Sequence, residues 1–80
     1  MRRAFGSQVK AGRNRVAISQ EDLALRCGLD RSYIGQVERG ERNLSLENIY
    51  RIADALTVSP GSLLQPLDGD LGFEVDAEGL

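Results

Sequence analysis

Three side chains set close together in this 80-residue chain have the widest choice of chemistry: Arg31, Ser32 and Gln36. A guanidinium donates two parallel hydrogen bonds to a planar pair of acceptors. A carboxamide donates and accepts in one plane, and a hydroxyl does either. This is recognition chemistry, not bond-breaking chemistry. It suits the base-pair edges in the major groove of B-DNA, with Arg31 matched to guanine O6 and N7 and Gln36 to adenine N6 and N7. Ser32 is small and adaptable. One good bidentate pair supplies roughly 1–3 kcal/mol of discrimination. The same residues would equally serve as the solvated face of an amphipathic helix.

Other polar groups flank this set at spacings that suit phosphates. Gln20 falls in the first turn of a predicted helix, where free backbone N–H groups and its amide can meet an anion. Arg39, Arg42 and Asn43 follow in the loop RGERN, and Ser45 opens another helix with further free N–H groups. Glu38 and Glu41 partly offset these arginines. Catalytic constellations are missing from the pattern. The chain has no histidine, which removes the commonest general base and metal ligand. No metal cluster and no phosphate-binding glycine loop is legible, so neither a cofactor nor a small-molecule ligand is expected and the reading is non-enzymatic.

The elements that must hold these residues follow from periodicity and punctuation. Phe5, Val9 and Val16 place one apolar face on a first helix, about Arg3 to Arg15. Ser19 reads as an N-cap with Asp22 as its capping-box partner, and Leu23, Ala24 and Cys27 face inward on a second helix that Gly28 stops. Asp30 caps a third helix, about Arg31 to Arg39, with Ile34 and Val37 inward and Gly40 ending it. Gly35 within that helix costs about 1 kcal/mol against alanine, which a close approach to DNA or to another helix would offset. Ser45 caps a fourth helix, about Leu46 to Leu56, with Leu46, Ile49, Ile52, Ala53 and Leu56 as its stripe. Pro60 opens a short fifth helix carrying Leu63 and Leu64. The fold expected is all-α, a compact five-helix bundle. The one strand-like pattern is Gly72–Val75.

Charge divides the chain in two. The overall net charge is −2, yet all ten Lys and Arg lie within positions 1–66 against seven acids, a net of +3. Positions 67–80 carry five acids and no base. A mildly basic body at 1–66 and an acidic tail at 67–80 are therefore expected. Cys27 stands alone, which excludes an intrachain disulfide and suits a buried small hydrophobe in a reducing compartment. With no long apolar run and no signal-peptide pattern, a cytoplasmic domain without membrane contact is expected.

Arg13 followed by SQEDLA, then CGLDRSYIGQVERG, then SLENIYRIADALTVSPGSLL resembles the Cro/CI-type (XRE) helix-turn-helix regulators, over roughly Phe5 to Leu64. LDRSYIGQVERGERNLSLENI is more similar still to the controller proteins of restriction–modification systems. The resemblance implies a lambda repressor-like domain that binds palindromic operators in double-stranded DNA as a homodimer and regulates transcription. It implies base contacts for Arg31, Ser32 and Gln36, and backbone or groove-edge contacts for Gln20, Arg39, Arg42 and Asn43. Tyr33 would lie near the DNA backbone or a thymine methyl. Arg13 and Glu38 would form a structural ion pair between the first helix and the end of the third.

Two departures from the family pattern stand out. Ala17 occupies a turn position that is usually glycine, which costs about 1 kcal/mol if the position needs positive φ. The acidic tail has no counterpart in the shortest members. Tyr50, Val58, Leu64 and Leu67 exceed what so small a body readily buries, unless they complete a monomer core; the resemblance implies a two-fold dimer through helices four and five. The same apolar residues would also support an alternative, an antitoxin-like module that binds a partner protein and uses DNA for autoregulation.

Overall fold

Four helices of this protein end on the same closure, a left-handed residue followed by a backbone hydrogen bond that reaches back into the helix. In the computed structural model, which describes residues 2–65, the helices are α1 (Arg2–Arg15), α2 (Gln20–Cys27), α3 (Arg31–Glu38), α4 (Leu46–Leu56) and α5 (Pro60–Leu63). After α1 to α4 one residue turns left-handed: Ala17 (φ 60°), Gly28 (φ 72°), Gly40 (φ 75°) and Thr57 (φ 59°). The next N–H then reaches back five residues, Ile18 to Arg13 at 3.1 Å, Leu29 to Ala24 at 2.9 Å, Glu41 to Gln36 at 2.9 Å and Val58 to Ala53 at 3.0 Å. This is the Schellman arrangement, which satisfies carbonyls that the helix end leaves open. Ile18, Leu29 and Val58, the residues just past three of these turns, pack half-buried against the core.

Helix starts are equally explicit. The Ser19 hydroxyl accepts from the Asp22 N–H at 3.0 Å, and the Asp22 carboxylate accepts from the Ser19 N–H at 3.4 Å. Ser45 and Ser59 accept from the N–H groups of Asn48 (3.1 Å) and Ser62 (3.2 Å). Asp30 takes the N-cap position of α3, but its side chain makes no capping hydrogen bond. Its contribution is confined to a negative charge at the positive end of the helix.

The five helices enclose one core of Phe5, Val9, Leu23, Ala24, Cys27, Ile34, Val37, Ile52, Ala53, Leu56 and Leu63. Gly6 of α1 lies directly on the carboxyl end of α3. A Cβ there would sit 2.3 Å from the Val37 carbonyl oxygen and 2.7 Å from that of Glu38. The missing side chain is what lets the two helices approach. Cys27 is buried and donates to the Leu23 carbonyl at 2.9 Å. Burial pushes its thiol pKa up, with Arg51 pulling partly the other way.

Two inward assignments from the sequence are corrected. Val16 is 43% exposed because it already stands past the end of α1, in the turn. Leu46 is 69% exposed. The buried positions of α4 are Ile52, Ala53 and Leu56, with Ile49 half-buried beside them, and Leu46 lies to one side, nearer Tyr50. Leu44, just before the helix, packs half-buried on the core instead. The acidic tail and the strand-like Gly72–Val75 lie outside the described residues. Among those residues, no helix is long and apolar enough to cross a membrane.

Candidate nucleic-acid interface

The α2–turn–α3 unit is fixed from behind by one carboxylate. Glu38, at the end of α3, has a side chain only 4% exposed. It accepts from Arg13 Nε at 2.8 Å, from Arg13 Nη2 at 3.1 Å and from Gln20 Nε2 at 3.0 Å. Arg13 Nη1 donates further to the Ile18 carbonyl at 3.0 Å. Four parts of the chain thus converge on two side chains: α1, the Ala17 turn, the first turn of α2 and the end of α3. The pairing with Glu38 raises the Arg13 pKa above its ordinary value. A partly buried pair of this kind holds orientation, and its cost appears when one partner is lost.

Gln20 therefore has two sides. One of its two amide N–H bonds is committed to Glu38, which sequence reasoning could not foresee; the other and the backbone N–H groups at the start of α2 remain for an outside acceptor. Gly35 lies beside the same contact but is not required by it. It is buried where α2 crosses α3, and a Cβ there would lie 3.6 Å from Gln20 Oε1 and 3.3 Å from an Arg39 nitrogen. The neighbour of this glycine is a helix, and the atoms in question belong to flexible side chains.

On the opposite face of α3, Arg31 and Ser32 are exposed and Gln36 is half-buried. Among the described residues none of the three side chains makes a hydrogen bond. Ile34 and Val37 are buried behind them. This outer face of α3 is therefore polar, without hydrogen-bond partners among the described residues, and rigidly backed.

Beyond α3 the flanking residues divide. Arg39 Nε pairs with Glu41 at 3.2 Å, both well exposed, a contact worth little in water. Asn43 is exposed, and the Ser45 hydroxyl is occupied as the cap of α4. Arg42 stacks on Tyr33, its guanidinium carbon 5.0 Å from the ring centre. The Tyr33 hydroxyl accepts from Asn48 Nδ2 at 3.1 Å. No local sequence signal points to Asn48, since this contact joins α3 to α4 across fifteen positions.

Away from this face, Tyr50 (57% exposed) and Leu64 (42%) leave apolar surface uncovered, and Leu46 stands beside Tyr50 on α4. Val58 is half-buried on the chain's own core, which leaves less of it for an interface. Leu67 lies outside the described residues. The described residues contain no group of three side chains placed to hold a metal ion.

Two short helices joined at a glycine turn, the second braced from behind and polar in front, define a helix-turn-helix protein. A family model described as helix-turn-helix matches residues 9–63, and the chain belongs to this family, in its Cro/CI-type (XRE) branch. It is a helix-turn-helix transcriptional regulator. The control protein C.BamHI of Bacillus amyloliquefaciens is 48% identical over 65 residues, 80% of each chain. The crystal structure of the restriction-modification controller protein C.AhdI from Aeromonas hydrophila has a TM-score of 0.76 at 48% identity, covering 78% of this chain and 94% of that one. The DNA-binding domain of the P22 c2 repressor has a TM-score of 0.73 at 34% identity over 84% of both chains.

Proposed function

We propose that this protein is the controller of a restriction–modification system, a cytoplasmic regulator that binds a palindromic operator in double-stranded DNA as a homodimer. The observation that carries DNA reading is the outer face of α3: Arg31, Ser32 and Gln36 unpartnered at the amino-terminal part of a helix held by the Arg13–Glu38 network. A helix presented this way enters the major groove amino end first while α2 crosses the backbone. Arg31 is the guanine reader, Gln36 the adenine reader, and Ser32 an adjustable contact. The N–H groups opening α2 and α4, with Gln20, Tyr33, Arg39, Arg42, Asn43 and Ser45, take the phosphates on either side. The controller assignment is supported by the similarity to C.BamHI and C.AhdI over most of the chain.

Dimerisation is supported by the uncovered apolar residues of α4 and α5, Tyr50 and Leu64, now joined by Leu46. A two-fold pairing there sets two α3 helices about one turn of DNA apart. The test is selection of bound duplexes from a random pool. The expected result is an inverted repeat with half-sites about one helical turn apart, bound at two chains per duplex. Recovery of no common sequence, or of a single unrepeated half-site at one chain per duplex, would overturn this reading.

A further inference from the structure

Tyr33 is clamped in a way that leaves one atom to act. Its ring lies half-buried at the edge of the core, and Arg42 covers the ring at 5.0 Å. Asn48 Nδ2 donates to its oxygen at 3.1 Å. A phenol oxygen that already accepts a hydrogen bond from an amide cannot send its own proton back along that bond, because the amide nitrogen has no free lone pair. Arg42, the other neighbour, is also a donor and never an acceptor. Among the described residues the Tyr33 hydroxyl finds no acceptor, so its O–H is a donor without a partner, on a ring that a cation covers.

We infer that Asn48 is a positioning residue for DNA binding: it fixes the polarity of the Tyr33 hydroxyl so that the O–H donates outward, to a phosphate oxygen that Arg42 also attracts. This rests on the DNA-binding function proposed above. In this arrangement Asn48 acts through Tyr33. Its backbone N–H is occupied by the Ser45 cap, and replacing its side chain leaves that bond in place. The phosphate assignment follows from the cation, since a neutral acceptor would gain less from lying next to Arg42.

The test is a double-mutant cycle on affinity for the selected operator and for random duplex, with thermal unfolding measured in parallel. Tyr33→Phe removes the donor and keeps the ring. A loss of about tenfold is expected, the scale of a hydrogen bond to a charged group. Asn48→Ala lowers affinity about three- to fivefold when Tyr33 is intact and leaves it unchanged when Tyr33→Phe is already present. Asn48→Asp turns the hydroxyl inward to a carboxylate. Its loss is largest when Tyr33 is intact and shrinks to the effect of the added charge once Tyr33→Phe is present. Equal losses on operator and random duplex, with unfolding temperatures close to wild type, fit a phosphate contact.

Losses confined to the operator would overturn the phosphate assignment in favour of a base acceptor. An Asn48→Ala effect that is absent, or is the same with and without Tyr33→Phe, would overturn the inference while the DNA-binding function stands. Wild-type protein that binds no duplex would overturn both.

Discussion

Replacing Ala17 and Thr57 by glycine should make this protein more stable, although each change removes side-chain atoms. Both residues are left-handed, at φ 60° and 59°, where an L side chain crowds its own carbonyl at a cost of about 1–2 kcal/mol. Glycine escapes that cost but loses roughly 0.5–1 kcal/mol through the greater freedom of the unfolded chain. Both positions are exposed, so no core contact is lost. The net gain is about 0.5–1 kcal/mol per site, with Thr57 at the upper end because its branched Cβ fits this region worst. The two turns close different helices, so the gains should add.

For a domain of this size, 1 kcal/mol moves the unfolding midpoint by roughly 4–8 °C. Ala17→Gly and Thr57→Gly should therefore each raise it by several degrees, and the double variant by about their sum, at fixed protein concentration. Gly28→Ala, at φ 72°, is the control and should lower the midpoint. Urea unfolding at unchanged m-value would confirm that stability changes while the surface exposed on unfolding does not. A lowered midpoint for either glycine variant would refute the account of the helix ends.

Gly6→Ala should destabilise by about 1–3 kcal/mol, the range for overpacking, because its Cβ would fall 2.3 Å from the Val37 carbonyl oxygen; urea midpoints check this. Glu38→Ala should cost about 3–5 kcal/mol, since it strands a partly buried Arg13. The check is urea unfolding of Glu38→Ala against Arg13→Ala and the double variant, which should cost less than the sum of the singles. Cys27 should resist iodoacetamide at pH 8 in the folded protein and react at an ordinary thiol rate in urea. Burial holds its pKa above the unfolded value, so the stability linked to this thiol is present at neutral pH and falls as pH rises past the unfolded thiol range.

The sequence made helix starts and glycine-marked ends legible because they depend on neighbours within five residues. Ser19 with Asp22, Gly28 and Gly40 are of this kind, and Ala17 was conspicuous as the wrong residue for its turn. Thr57 adopts the same left-handed conformation without a sequence signal, because the Schellman closure forms around whichever residue the packing of Val58 and Ala53 leaves there. Val16 and Leu46 fit the apolar period but fall beyond the point where their helices face the core.

The α3 face was legible because Ile34 and Val37 fix which side turns inward. What could not be read were contacts between elements. Gly6 against α3, the third hydrogen bond of Glu38 from Gln20, and the Asn48–Tyr33 bond each depend on how helices cross. Periodicity along one helix contains no information about that crossing.

The central claim, that the outer face of α3 reads base sequence, is tested most directly by Arg31→Ala with affinity measured at one salt concentration on the selected operator and on random duplex. Arg31 makes no side-chain hydrogen bond among the described residues, so the fold should keep its stability. Loss of a bidentate guanine contact is expected to cost roughly 1–3 kcal/mol on the operator and much less on random DNA, so the ratio of the two affinities falls. An equal loss on both duplexes would make Arg31 a phosphate contact and contradict the account.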